Sequence, residues 1–228
     1  MPAQDHLKAF LLALQFLTRI PVRLSEPPSP EDQGRAVLYY PLVGLIIGCI
    51  LAGLALIMPI DEPVLPAVVL LLVWTLLTGG LHLDGLADSA DAWMGGSGDM
   101  NRTHRILRDS LVGTAGVVAT CLVLLIKFSA LYVLVKQQDY FALLLAPVVG
   151  RSLVLLLFVT TQYVRQQGLA SAATRQLNAE AVTLGLVPVV LFSAWVSLPA
   201  LLLTALIFLS LRQIMIDRIG GCTGDTAG

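Results

Sequence analysis

The sequence predicts an all-α, polytopic membrane protein of about six transmembrane helices, with an N-terminal helix that lies at the interface or re-enters the bilayer. Three observations predict it. Of 228 residues, 57% are hydrophobic and 13% charged, and the mean hydropathy is +0.83. Soluble domains are roughly 45–50% apolar and about 25% charged, so a water-facing fold would lack the polar residues to cover its surface. The apolar residues come in runs near the ~20 needed to cross a bilayer. Basic residues fall on alternate connections between those runs, as the positive-inside rule requires.

The elements follow in order, within one integral membrane domain over 1–228. In the segment 1–35, residues 5–20 (DHLKAFLLALQFLTRI) are apolar but short of a span. Asp5 can cap them and Pro21 stops them. Residues 24–35 read as a polar, proline-rich loop. Segment 36–80 holds two spans, 36–58 and a shorter 64–78 that ends in Gly79-Gly80, joined by a turn at Pro59-Ile60-Asp61-Glu62-Pro63. Residues 81–110 are the longest polar stretch. Segment 111–163 reads as a helical hairpin around Lys136-Gln137-Gln138-Asp139. Residues 164–180 form a polar loop. In 181–216 the runs 181–195 and 199–216 flank a tight turn at Ser197-Leu198-Pro199; two short helices are preferred to one kinked helix. Residues 217–228 are a glycine-rich tail.

Lys8, Arg19, Arg23 and Arg35 precede the first span. Arg102, Arg105 and Arg108 lie between the second and third, Arg165 and Arg175 between the fourth and fifth, and Arg212 and Arg218 at the end of the sixth. The opposite loops hold only Lys136. Alternation therefore places every basic loop on the cytoplasmic side of a cytoplasmic (inner) membrane, and the polar stretch 81–110 with them. No cleavable signal is expected, because the apolar run 10–20 is short and broken by Gln15 and Arg19. A net charge of −1 with no basic tail argues against a nucleic-acid partner. Cys49, Cys121 and Cys222 are widely spaced with no CxxC, and read as small apolar residues rather than a disulfide framework or zinc site.

The chemistry sits in GGLHLDGLADSADAWMGG, residues 79–96. Asp84, Asp88 and Asp91, spaced i, i+4, i+7, fall on one stripe of a helix. Like charges at that spacing repel. A divalent cation offsets the repulsion, and an all-carboxylate site suits Mg²⁺ or Mn²⁺. His82 alone is weak support for zinc. The plain alternative is a solvated helix end, but no basic residue stands at i±4. Asp225, in GGCTGDTAG (220–228), is a fourth carboxylate, on a tail that either cradles phosphate through backbone N–H groups or is only a flexible terminus. Lys127 and Arg151 lie inside spans, where a charge is costly and marks a site or a structural ion pair.

HLDGLADSAD, LRDSLVGTAG and GGCTGDTAG, with FLTRIPV (16–22) and RAVLYYPLVGLIIG (35–48), together resemble the cobalamin synthase family, the adenosylcobinamide-GDP ribazoletransferases. The resemblance runs over nearly the whole chain. Ala92 stands where the family often has Gly, and the family continues past the glycine-rich motif into a further apolar segment. DGxxA also looks like the opening of the CDP-alcohol phosphotransferase motif, but Asp88 stands where that motif has Arg.

The resemblance implies attack by a ribose hydroxyl of α-ribazole, or α-ribazole 5′-phosphate, on adenosylcobinamide-GDP. GMP leaves, and adenosylcobalamin or its 5′-phosphate forms. It implies Mg²⁺ (or Mn²⁺) on Asp84 and Asp88, with Asp91 completing the metal site or serving as general base, and Asp225 as the second candidate for either role. Lys127, Arg151, Arg105 and His82 are the candidate substrate contacts. The corrin substrate calls for a wide cavity beside the bilayer, and a homo-oligomer is compatible with all of this. Two other readings remain at this point: a CDP-alcohol-type phospholipid phosphotransferase, and a secondary transporter using Lys127 and Arg151 in glycine-broken spans.

Overall fold

The structure, a computed structural model, describes residues 3–24, 26–59, 61–109, 111–165, 177 and 179–228. Most of the predicted loop 164–180, including Arg175, lies outside the described residues. The helices are α1 (Ala3–Leu17), α2 (Pro30–Ala36), α3 (Tyr40–Ile57), α4 (Val64–Thr78), α5 (Leu81–Gly96), α6 (Met100–Ile106), α7 (Thr114–Gln137), α8 (Tyr140–Thr160), α9 (Ala179–Ile219) and α10 (Gly224–Ala227).

The N-terminal helix is as expected, and its apolar face (Ala9, Leu12, Ala13, Leu17) is buried. The following loop is not. Residues 30–36 are helical because Ser29 and Asp32 form a capping box and Pro30 occupies the first turn, where a missing N–H costs nothing. Lys8 meets Asp32 at 2.8 Å and ties α2 to α1.

The central packing is α3 against α8. Both spans are about half buried, 44% and 50%, whereas α7 is 6% buried. A Cβ on Gly44 would stand 2.6 Å from the Pro147 carbonyl oxygen, and one on Gly48 would overlap that of Leu144. The small-xxx-small spacing lets the two backbones touch. On α7, by contrast, Leu125 is 62% and Ile126 68% exposed. Apolar surface this continuous is stable only against lipid.

Two breaks shape the site. The helix α4 stops at Gly79 (φ +65) and α5 starts at Gly80 (φ +71), so the two meet at 84°. In α9, Ser197 is extended (φ −161, ψ 99), and its hydroxyl accepts from Ala200 N–H at 3.3 Å. Ser197 thus caps a second arm that has Pro199 near its start. Phe192 and Trp195 of the first arm pack on Phe141 at the beginning of α8. Arg212 of the second arm donates to the Thr160 carbonyl and Thr161 hydroxyl at the end of α8. The second arm therefore runs the length of α8.

Among the described residues four helices are long and apolar enough to cross a membrane, and five if the bent α4–α5 pair is one span. The expected number, about six, is reached only if the two arms of α9 cross separately, because a single extended residue, not a loop, divides them.

Candidate functional site

The helix α5 presents two chemically different faces. His82, Leu86, Ser89 and Trp93, spaced by four, three and four, form one stripe. Asp84, Asp88 and Asp91 lie about 180–240° round the helix from His82.

On the acidic face, the Asp91 carboxylate accepts from Gly113 N–H at 2.6 Å and Gly116 N–H at 2.9 Å. It sits at the N-terminus of α7, where free N–H groups favour an anion. Asp84 is exposed and shares a cavity of about 540 Å³ with Arg19, Gly79, Gly80, Val117 and Thr120. The Arg19 guanidinium lies over Gly79. Asp88 is half-buried between them and feels the charges of Asp84, Asp225 and Asp91, opposed by Arg165.

Asp225 comes from the other end of the chain. The tail is fastened by a short parallel bridge, Val164 N–H to the Cys222 carbonyl and Cys222 N–H to the Gln162 carbonyl, both 2.9 Å. The helix α10 then lies on α5 at Gly85, where a Cβ would overlap the Asp225 carbonyl oxygen. Glycine is needed there for close approach. Arg165 binds Asp225 at 2.5 Å and also donates to the Leu107 carbonyl. The tail is therefore docked rather than loose.

The opposite face of α5 lines a cavity of about 740 Å³, closed by α4, α7, α8, the second arm of α9 and the tail. Lys127 Nζ stands 3.5 Å from the centroid of the Trp74 ring, a cation–π contact. Arg151 is 6% exposed and its Nη2 is 2.9 Å from His82 Nε2. Guanidinium only donates, so His82 accepts there. Arg151 Nε, Ser89 Oγ and Trp93 Nε1 are buried without a hydrogen-bond partner among the described residues. Asp225 also borders this cavity and so stands where the two faces meet.

The structure thus brings Asp84, Asp88, Asp91 and Asp225 into one electrostatic neighbourhood, with Asp91 hydrogen-bonded to the start of α7. Lys127, Arg151 and His82 come together, but not on the acidic stripe. Arg105 is exposed on α6 and lines neither cavity. Among the described residues, the cations placed on the acidic face are Arg19 and Arg165. Sequence reasoning passed over both in that role, although FLTRIPV contains Arg19. Ser89 and Trp93 were also missed, although their helical spacing from His82 was visible. Among the described residues no three His, Cys, Asp or Glu side chains are gathered tightly enough to enclose a metal ion. Two neighbouring carboxylates, Asp84 and Asp88, nonetheless fit Mg²⁺, which commonly takes one or two carboxylates and completes its shell with water and substrate phosphate.

A sequence model of the family described as Cobalamin-5-phosphate synthase matches residues 9–228. The chain is 46% identical over 223 residues to an adenosylcobinamide-GDP ribazoletransferase of Pseudomonas savastanoi pv. phaseolicola, covering 96% of this chain and 92% of the relative. It is 50% identical over 231 residues to one of Pseudomonas paraeruginosa (99% and 93%), and 49% identical over 228 residues to one of Pseudomonas aeruginosa (99% and 93%). No solved structure matches.

Proposed function

The chain belongs to the cobalamin-5-phosphate synthase family, and on that premise we propose that it is an adenosylcobinamide-GDP ribazoletransferase whose reaction centre lies between the acidic face of α5 and the docked tail. It joins the phosphocobinamide moiety of adenosylcobinamide-GDP to α-ribazole or its 5′-phosphate. Family membership sets aside the phospholipid phosphotransferase and transporter readings.

The observation that carries the reading is the docking of α10 on Gly85, which sets Asp225 beside Asp88 and Arg165. Transfer at a diphosphate needs positioning and charge neutralisation more than covalent chemistry. Asp84 and Asp88 would hold Mg²⁺. When bound, the ion supplies neutralisation of the diphosphate and stabilisation of the departing phosphate. Arg19, on the Asp84 cavity, and Arg165 add positive charge on the same face.

Asp225 borders both faces of α5 and is assigned as the base that takes the proton of the attacking ribose hydroxyl. That oxygen bonds to the phosphorus on the cobinamide side. The bond from this phosphorus to the bridging oxygen breaks, and GMP leaves with the electron pair. Asp91 acts as a positioning residue, because its two hydrogen bonds fix α5 against α7. The basic loops support a cytoplasm-facing centre in the inner membrane.

Reconstitution in lipid with adenosylcobinamide-GDP and either α-ribazole or α-ribazole 5′-phosphate, with Mg²⁺ or with EDTA, tests this. The expected result is metal-dependent GMP release matched by corrinoid product. No release with either acceptor would overturn the reading.

A further inference from the structure

We propose that the cavity on the His82 face of α5 is the acceptor subsite, and that Arg151, oriented by His82, binds the phosphate monoester of an aromatic nucleoside there together with Lys127. This rests on the proposed function and adds to it a second anion site, separate from the diphosphate site.

Charge is the first argument. Arg151 is buried mid-helix and Lys127 is half-buried mid-helix, yet neither has a carboxylate partner among the described residues. A buried cation without a counter-ion is strongly unfavourable. Asp225 is the carboxylate among the cavity residues, and Arg165 holds it. Arg212 is occupied by Thr160 and Thr161. A dianionic phosphate monoester supplies what Arg151 lacks, and the unpartnered Arg151 Nε and Ser89 Oγ are donors suited to its oxygens.

Placement is the second. His82 meets Arg151 on one side and hydrogen-bonds with the Gly228 backbone on the other. Gly228 N–H in turn bonds the Asp225 carbonyl at 3.2 Å. Arg151 is thus linked through His82 and the Gly228 backbone to the short helix that carries the assigned base, and Arg151, Lys127 and Asp225 line the same cavity. The rest of the wall is mostly apolar, with Trp74, Trp93 and Phe208 among a few threonines, and suits a flat apolar base. A volume near 740 Å³ is ample for one nucleotide.

An anionic lipid headgroup also offers phosphate oxygens, as a singly charged diester, so the test separates the two. The full chain in a phosphate-free detergent micelle, with EDTA present, would be titrated with α-ribazole 5′-phosphate, α-ribazole and phosphatidylglycerol, following quenching of tryptophan fluorescence. The expected result is at least tenfold tighter binding of the phosphorylated nucleoside, with no displacement by the lipid. Arg151→Gln should erase that preference and Arg151→Lys keep part of it. Should Arg151→Gln fail to fold, Ser89→Ala is expected to weaken the phosphorylated ligand selectively. Equal affinity for the two nucleosides overturns the inference, as does Arg151-dependent displacement by phosphatidylglycerol. If GMP release still proceeds in the reconstituted assay, only the acceptor site has failed and the proposed function stands.

Discussion

Arg165 and Asp225 meet at 2.5 Å across the junction of the 161–165 segment and the tail, each about 30% exposed at the side chain (30% and 27%). Partly exposed pairs contribute little to stability, on the order of 0–1 kcal/mol, so the pair matters more for placing the tail than for folding. Asp225→Asn should lower kcat by roughly 10²–10⁴-fold, the usual contribution of a general base. The melting temperature should change little. Arg165→Met should also cut turnover, and Arg165→Lys should recover part of it. Near-normal kcat in Asp225→Asn would remove the base assignment.

Tail docking has a second readout. Cys222 is fully buried beneath the bridge to 162–164, and burial pushes its thiol up to about 11. Below that pH the thiol is neutral and poorly nucleophilic. Maleimide labelling of Cys222 should therefore be slow at pH 7–8 and accelerate as pH rises toward the folded pKa. Arg165→Met, which loosens the tail, should speed labelling at pH 7.5 several-fold. Equal rates in the two proteins would show that the ion pair does not hold the tail.

Asp91 and its neighbours on the stripe should separate by metal response. Asp91→Asn keeps one acceptor oxygen but loses the charge at the start of α7, at a cost of about 1–2 kcal/mol. Mg²⁺ should still raise the melting temperature of this variant in the presence of adenosylcobinamide-GDP. Asp84→Asn and Asp88→Asn should abolish that rise while relieving crowding around Asp88. If Asp91→Asn instead loses the Mg²⁺ effect at wild-type stability, Asp91 is a ligand after all.

The spans were legible because hydropathy is local: the run 64–78 emerges as Val64–Thr78 and 36–58 contains Tyr40–Ile57. The acidic stripe was legible because a helix places i, i+4 and i+7 together whatever surrounds it. Which way the stripe faces was not legible. Gly113 and Gly116 fix Asp91, and the Asp225 carbonyl fixes Gly85, both from remote parts of the chain. Lys127 and Arg151 read from the sequence as intramembrane charges and candidate substrate contacts, and only the fold shows that they line the cavity on the His82 face of α5. The helix Pro30–Ala36 was readable in the Ser29–Asp32 spacing, but the prolines around it outweighed that signal. Arg19 read as a topological anchor, and only the bend at Gly79 shows what it lies against.

That bend supports a final prediction. Gly79 (φ +65) and Gly80 (φ +71) both adopt a left-handed conformation, which costs an L-residue about 1–2 kcal/mol. They differ in their surroundings: a Cβ at Gly80 meets nothing within 4 Å, whereas one at Gly79 collides with the Arg19 guanidinium. Gly80→Ala should therefore show only the backbone cost in thermal unfolding. Gly79→Ala should show that cost together with a loss of turnover, because Arg19 is pushed out of the Asp84 cavity. In an Arg19→Ala background the two glycine substitutions should become equivalent in stability, and neither should lower turnover further than its stability effect explains. If Gly79→Ala still costs more turnover than Gly80→Ala once Arg19 is gone, the bend acts on the site through α5 itself and Arg19 has no part in the chemistry of that face.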